Sequence, residues 1–167
     1  MASVTLKGNT TAIKGDIPTS GSAPDFSFVK DNLSDEKLSA LEGVKVLIAV
    51  PSLDTSVCAM ETRQFNQQLS GKPGVTGLVI SKDLPFAMKR FCETAEIENV
   101  VNASDFRYGE FCQKYNTEIT EGPMKGLSAR AVFVVDQNNQ ITYAELVPEI
   151  GQEPDYSKVM EAIDKLL

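Results

Sequence analysis

The chain of 167 residues is long enough for one domain with its own hydrophobic core. Its 16 basic and 23 acidic residues give a net charge of −7 without a basic cluster, and no apolar run approaches the ~20 residues of a membrane span, so we expect neither nucleic acid nor membrane as a partner. Histidine is absent, which excludes a Ser-His-Asp triad, a Cys-His protease pair and His-ligated haem or zinc.

The first predicted element is an N-terminal β-hairpin. Residues 4–7 and 10–14 are its strands, and Gly8-Asn9 lies between them as the turn. No basic and apolar leader precedes this hairpin, so we expect a cytoplasmic protein. The following residues 15–25 are rich in Gly, Pro and Ser, which indicates a surface loop.

A strand, a helix and a second strand are predicted next. A short strand is expected over 26–29, and the run VKVLIAV at 44–50 is nearly all apolar, which is typical of a strand buried on both faces. A helical pattern extends from about 55 to 70 and is closed by Gly71. Residues 75–81 form another apolar strand.

The second half of the chain begins with a helix that Asp83 is expected to cap, with Pro85 in its first turn. Its apolar residues, which include Met88 and Cys92, recur at helical spacing and form one stripe. The remaining predicted elements are a shorter helix with Tyr108, Phe111, Cys112 and Tyr115 on one face, strands over 131–135 and 141–147, and a last helix from about Pro154.

This order of elements predicts an α/β fold with a mixed central sheet flanked by helices. Parallel strands would be joined through helices, and an antiparallel pair would lie near the end of the chain. A thioredoxin-like architecture is one of few folds with this order. No linker divides the sequence, so we expect residues 1–167 to form a single domain.

The strand over 44–50 leads into PSLDTSVC, where the predicted helix begins. In open α/β sheets, functional sites form where strands end and helices start. Cys58 would lie in the first helical turn, where free backbone N–H groups and the positive end of the helix dipole favour a thiolate. The hydroxyl of Thr55 and a fixed cation beside the sulfur would then stabilise charge on a departing group.

The other cysteines are Cys92 and Cys112. Three is an odd number and no C-x-x-C occurs, so a disulfide framework, a zinc knuckle and the usual dithiol motif are all disfavoured. A reducing compartment fits this pattern best. Because Cys112 shares a stripe with aromatic residues, we expect it to fill the core or an interface.

The pattern P-x-x-x-T-x-x-C, filled by Pro51, Thr55 and Cys58, resembles the active-site signature of the peroxiredoxins. The strings PSLDTSVC, LPFAMKRFC with its second cysteine, and GLSARAVFVVD are similar to those of bacterial thiol peroxidases, which are atypical two-cysteine peroxiredoxins. The resemblance covers essentially the whole chain, from the leading hairpin to the EPDY that starts the last helix.

The resemblance implies a role for five residues. Cys58 would be the peroxidatic nucleophile, Thr55 would hydrogen-bond the peroxide and the thiolate, and Pro51 would shield the sulfur from water. Arg130 would supply the cation, although Arg63, Arg90 and Arg107 are competing cations on sequence grounds. Cys92 would be the resolving cysteine.

The resemblance also implies a catalytic cycle without cofactor or metal. Hydrogen peroxide and organic hydroperoxides would be substrates, thioredoxin would reduce an intramolecular Cys58–Cys92 disulfide, and the assembly would be a homodimer. A disulfide requires two Cα atoms within about 7 Å. Because each cysteine is predicted in its own helix, we expect oxidation to require local unwinding around one or both of them.

Three other functions stay open from the residues alone. A thioredoxin-like disulfide oxidoreductase would use the same fold, a non-enzymatic peroxide sensor would oxidise once and signal to a partner, and a structural module would leave the cysteines inert. The acidic residues Asp54 and Glu61 are expected to be a helix cap and part of a solvated face, respectively.

Overall fold

The structure, a computed structural model, describes residues 2–167. Within them it forms ten strands, four α-helices and one short 3₁₀ turn, Leu38–Ala40. The strands are β1 (Ser3–Leu6), β2 (Asn9–Ala12), β3 (Gly21–Ser22), β4 (Ser27–Val29), β5 (Asp35–Lys37), β6 (Val44–Ala49), β7 (Val75–Ser81), β8 (Val100–Ser104), β9 (Ala131–Val135) and β10 (Gln140–Leu146), and the helices are α1 (Ser56–Leu69), α2 (Pro85–Thr94), α3 (Glu110–Lys114) and α4 (Tyr156–Asp164).

Eight of the strands form one mixed sheet in the order β3-β10-β9-β6-β7-β8-β4-β5. Strands β6, β7 and β8 are parallel neighbours, whereas β9 pairs antiparallel with both β6 and β10. All six residues of β6 are buried, as expected for a central strand covered on both faces. The predicted α/β fold with a mixed central sheet is confirmed.

The two faces of the sheet carry different layers. On one face, α1, α2 and α4 bury apolar side chains such as Phe65, Met88 and Ile163. On the other face, α3 packs an aromatic cluster in which the rings of Phe111 and Tyr115 stack at 4.5 Å between centroids. The first layer carries both of the helices in which redox-active cysteines are predicted.

The predicted N-terminal hairpin is present as strands β1 and β2. Its two-residue turn is Lys7-Gly8, where both residues have positive φ, so Asn9 belongs to a strand rather than to the turn. The hairpin is attached to the far end of the chain, because the Thr5 N–H donates to the Pro148 carbonyl at 2.7 Å.

Three local expectations differ from the structure. Strand β8 was not predicted, because its sequence VVNAS has only two strong strand formers. Tyr108 is exposed and lies outside α3, since Gly109 adopts a left-handed conformation and the helix begins after it. Asp83 does not cap α2; its carboxylate instead accepts the Leu53 N–H at 2.8 Å.

Among the helices within residues 2–167, none combines the length and the apolar character needed to cross a membrane.

Candidate active site

The segment between β6 and α1 is held in one conformation by its own hydrogen bonds. Ser52 donates its hydroxyl to Asp83 at 2.7 Å and accepts the Thr55 hydroxyl at its carbonyl at 3.0 Å. Thr55 is the N-cap residue of α1, and its Oγ1 accepts the Cys58 N–H at 3.4 Å. These bonds fix the start of the helix relative to the end of the central strand.

Cys58 lies in the first turn of α1, as predicted, and its side chain is fully buried. Its own carbonyl accepts the Thr62 hydroxyl at 2.8 Å, which ties the next turn to the first. The sulfur therefore lies beneath the surface, close to the helix terminus where the first backbone N–H groups have no partner within the helix.

Arg130 lies immediately before β9, and its guanidinium is buried. Its Nε and Nη2 atoms both donate to the Ile150 carbonyl, at 3.0 and 2.8 Å, and Nη1 donates to Glu61 Oε2 at 2.6 Å. Burial opposes the charged form of Arg130, but the charges of Glu61 and Cys58 outweigh it and raise its pKa. A permanent cation thus lies beside the Cys58 sulfur.

Glu61 is fully buried, which corrects the expectation of a solvated face. It lies three residues after Cys58 in α1, so it projects from the same inward side of the helix and reaches Arg130. Among residues 2–167, its Oε1 has no hydrogen-bond partner. Burial raises the Glu61 pKa to about 7, although the attraction of Arg130 opposes that shift. Sequence reasoning missed this residue, and the spacing of three from Cys58 was the signal available.

A cavity of about 280 Å³ opens beside this group. Pro51, Thr55 and Arg130, three of the predicted site residues, all contribute to its wall. The rest of the wall is mainly apolar and includes residues near both ends of the chain: Leu6, Lys7, Ser56, Val57, Met124, Glu149, Ile150 and Gly151. Such a cavity suits a small, uncharged substrate that must meet a cation and a hydroxyl in its wall.

Cys92 lies apart from this cavity. It is in the second half of α2 and lines a separate surface depression together with Asp31. The thiol donates to Asn102 Oδ1 at 3.4 Å, and burial raises the Cys92 pKa. The side chains of Cys58, Cys92 and Cys112 are all free thiols.

Cys112 packs in the aromatic layer, in agreement with the expected core role. Burial and then the charge of Asp105 raise its pKa to about 12, so it is a thiol at neutral pH. Two competing cations are also engaged elsewhere: Arg63 lies over the Phe91 ring, and Arg107 pairs with Asp35 at 2.8 Å. Within residues 2–167, no three Cys, Asp or Glu side chains are grouped to hold a metal ion.

Comparison with known proteins gives consistent matches along the whole chain. The redoxin family matches residues 18–160. A thiol peroxidase of Leptospira interrogans is 52% identical over 171 aligned residues that cover all of both chains, and one of Aquifex aeolicus is 45% identical over 98% of each chain. The crystal structure of a peroxiredoxin-like protein from Aquifex aeolicus superposes with a TM-score of 0.94 at 44% identity, covering 99% of this chain and 97% of that one. The predicted thioredoxin-like fold is thereby confirmed.

Proposed function

Since the chain belongs to the redoxin family and within it to the thiol peroxidases, antioxidant enzymes that reduce peroxides, we propose that Cys58 is the sulfur that attacks the substrate. The observation that carries this proposal is the buried Arg130 guanidinium, which the Ile150 carbonyl and Glu61 orient beside the Cys58 sulfur. A fixed cation next to a sulfur at a helix N-terminus is what thiolate chemistry requires.

In the proposed reaction the Cys58 thiolate attacks one oxygen of the hydroperoxide. The O–O bond breaks, the second oxygen leaves as water or alcohol after taking up a proton, and Cys58 becomes a sulfenic acid. Thr55 and Arg130 line the cavity through which the peroxide would enter. The guanidinium could donate to a peroxide oxygen there, and the Thr55 hydroxyl could do so by turning away from the Ser52 carbonyl. Pro51, in the same wall, would limit the access of water to the sulfur.

The second half of the proposed cycle uses Cys92 as the resolving cysteine. It would condense with the sulfenic acid to an intramolecular disulfide, which thioredoxin would reduce. Cys58 and Cys92 are in separate helices and both are free thiols, so the disulfide would need at least one helix to unwind locally. We further propose a single domain over 1–167, a homodimer and a cytoplasmic location.

The test is peroxide consumption in the presence of thioredoxin, its reductase and NADPH. Cys58→Ser should abolish turnover, whereas Cys92→Ser should permit one oxidation per chain and then stop. Cys112→Ser is the matched control, because this thiol lies in the aromatic layer away from the cavity. Mass spectrometry after one equivalent of peroxide should locate a Cys58–Cys92 linkage. Full activity in Cys58→Ser would overturn the assignment.

A further inference from the structure

The amide of Asn102 connects the thiol of Cys92 to a carboxylate. Cys92 Sγ donates to Asn102 Oδ1 at 3.4 Å, and Asn102 Nδ2 donates to Asp31 Oδ1 at 3.0 Å. Asn102 is buried in β8, where an apolar residue would otherwise be expected, whereas Asp31 is exposed. A buried amide with both ends engaged fixes the side chains on either side of it.

The sheet register explains why Asp31 reaches Asn102. Strands β4 and β8 pair antiparallel with Val29 opposite Ser104. The same register continued by two residues sets Asp31 opposite Asn102. The turn after β4 is itself ordered, because the Leu33 N–H donates to the Lys30 carbonyl at 2.9 Å. This arrangement places the Asp31 carboxylate beside the amide, and the 3.0 Å hydrogen bond from Asn102 Nδ2 joins them.

Asp31 determines which way the Asn102 amide faces. An ionised carboxylate can only accept hydrogen bonds, so it selects the N–H₂ end of the amide. The carbonyl end must then face Cys92, and a sulfur that faces a carbonyl oxygen can only donate. A thiolate in this position would meet an oxygen lone pair instead of a donor.

Burial is the largest influence on the Cys92 pKa and raises it, and the negative charge of Asp31 raises it further, whereas the hydrogen bond with Asn102 opposes both. That opposing effect requires an amide N–H at the sulfur, and the carbonyl end of Asn102 faces it instead. An amide that turned its N–H₂ toward the sulfur would lower that pKa, and the hydrogen bond to Asp31 prevents this orientation. The other charged groups around the depression over Cys92 are mostly acidic: Lys89, Glu93, Glu96 and Glu98.

We propose that Asn102 and Asp31 are positioning residues that keep Cys92 protonated and seated in α2, so that it becomes a nucleophile only when the end of α2 moves away from Asn102. This inference rests on the proposed role of Cys92 as the resolving cysteine.

The end of α2 is closed by a turn that contains backbone strain. Glu96, just after the helix, has a left-handed conformation with φ of 56°, which costs a residue other than glycine about 1 kcal/mol. This conformation allows the Ile97 N–H to donate to the Cys92 carbonyl at 2.9 Å and the Glu96 N–H to the Glu93 carbonyl at 3.4 Å. The backbone of Cys92 is thus held by a strained turn, while its side chain is held by Asn102.

The step that this arrangement controls is balanced without another reactant. The Cys92 sulfur displaces the hydroxyl of the Cys58 sulfenic acid, an S–S bond replaces the S–O bond, and the thiol proton leaves with the hydroxide as water. While Cys92 remains seated, a second peroxide can oxidise the sulfenic acid to a sulfinic acid. Asp31 and Asn102 would therefore set the ratio of disulfide to sulfinic acid.

The test measures alkylation of Cys92 by iodoacetamide against pH, with peptide mapping, in a Cys58→Ser background. Asp31→Lys replaces an acceptor with a donor and should reverse the amide. We expect alkylation at neutral pH to rise about tenfold and the midpoint of its pH profile to fall by about one unit. Asp31→Glu restores an acceptor and should behave as the parent.

Glu98→Lys is the charge-matched control, because it makes the same charge change in the same depression without touching the amide. A merely looser helix would raise the rate equally at every pH and leave the midpoint unchanged. Either that result in Asp31→Lys, or an equal midpoint shift in Glu98→Lys, would overturn the proposal.

A second measurement uses the chain with Cys58 intact. At excess peroxide, Asp31→Lys should give more disulfide and several-fold less Cys58 sulfinic acid than the parent, and unchanged proportions would contradict the proposal. If the chain consumed no peroxide at all, the proposed function would fail, while the alkylation experiment would still report on Asn102.

Discussion

The two cysteines of the proposed cycle lie at opposite ends of helices. Cys58 is in the first turn of α1, where the helix dipole is positive and a guanidinium lies beside the sulfur. Cys92 is near the end of α2, where the dipole is negative and the sulfur faces a carbonyl oxygen backed by Asp31. The two sulfurs thus meet opposite electrostatic surroundings, positive at Cys58 and negative at Cys92, which supports the different roles proposed for them.

Cys112 shows what burial, together with the nearby negative charge of Asp105, does to a thiol. It lies among aromatic rings, and its pKa is raised to about 12. Cys58 is buried as completely but lies beside the Arg130 guanidinium, so these two sulfurs differ in the charges around them and not in burial. The predictions below test that conclusion, in order of decreasing expected effect.

Arg130→Lys keeps the charge beside Cys58 but removes the two-pronged contact with the Ile150 carbonyl. We expect the second-order rate constant for Cys58 oxidation by hydrogen peroxide to fall about 100-fold, because an ammonium cannot reproduce the orientation of the guanidinium. Competition kinetics against a reference peroxidase would measure it. Arg63→Lys, which changes a cation over the Phe91 ring, should stay within about twofold. Equal rates in Arg130→Lys and the parent would show that the oriented guanidinium does not distinguish Cys58 from Cys92.

Glu61→Gln tests the electrostatics of the Arg130 and Glu61 pair beside Cys58 by measuring the free energy of unfolding. Glu61 holds its proton more tightly when folded, because its pKa rises from 4.5 to about 7. Its contribution to the free energy of unfolding is therefore present below about pH 4.5 and is lost as the pH rises to about 7. Between these pH values the free energy of unfolding of the parent should fall by about 3 kcal/mol relative to that of Glu61→Gln.

Urea unfolding of both proteins across this pH range would measure the difference, which isolates Glu61 from the other titrating groups. Parallel stability curves for the two proteins would show that the Glu61 carboxyl is not perturbed by burial.

Thr55→Val removes the hydroxyl that caps α1 while keeping the shape of the side chain. The Cys58 N–H would lose its acceptor, so we expect about 1 kcal/mol of lost stability. We also expect a roughly tenfold slower reaction with peroxide, since a hydroxyl in the cavity wall disappears. Thr55→Ser keeps the hydroxyl and should restore both properties, and stopped-flow oxidation with thermal unfolding would check them. A Val variant as fast as the Ser variant would exclude the hydroxyl from the reaction.

Glu96→Gly tests the Cys92 side. Glycine adopts the left-handed conformation without strain, so the end of α2 should become up to about 1 kcal/mol more stable against opening. Disulfide formation after Cys58 oxidation should then slow by up to about fivefold, because opening of the helix costs more. Quenched-flow mass spectrometry would follow it, with the first oxidation as an internal control that should not change. Faster disulfide formation would contradict the proposed opening.

Much of the fold follows from patterns that are local in sequence. The apolar run of β6 predicted a central strand, and the stripe containing Met88 and Cys92 predicted α2. Strand β8 was missed, because a polar Asn102 in its middle breaks the apolar pattern of a buried strand. The partners that satisfy this amide, a thiol and a carboxylate, come from elsewhere in the chain.

The site divides in the same way. The spacing of three residues between Thr55 and Cys58 is typical of an N-cap and the first turn of a helix, so both residues could be located from the sequence. The partners of Arg130 could not, because one is a backbone carbonyl and the other is an acidic residue that composition alone places on the surface. Every residue carries a backbone carbonyl, so the residue type does not reveal which carbonyl will accept a particular hydrogen bond.

The attachment of the N-terminal hairpin to residues 148–150 also bears on how the chain matures during synthesis. Leu6 and Lys7 form part of the cavity wall, and Ile150 orients the guanidinium, so both ends of the chain complete the site. A ribosome-bound chain that has exposed Cys58 but not yet residue 150 has the sulfur without its oriented cation. The nascent protein would become a fast peroxide scavenger only when its C-terminal segment has emerged and folded.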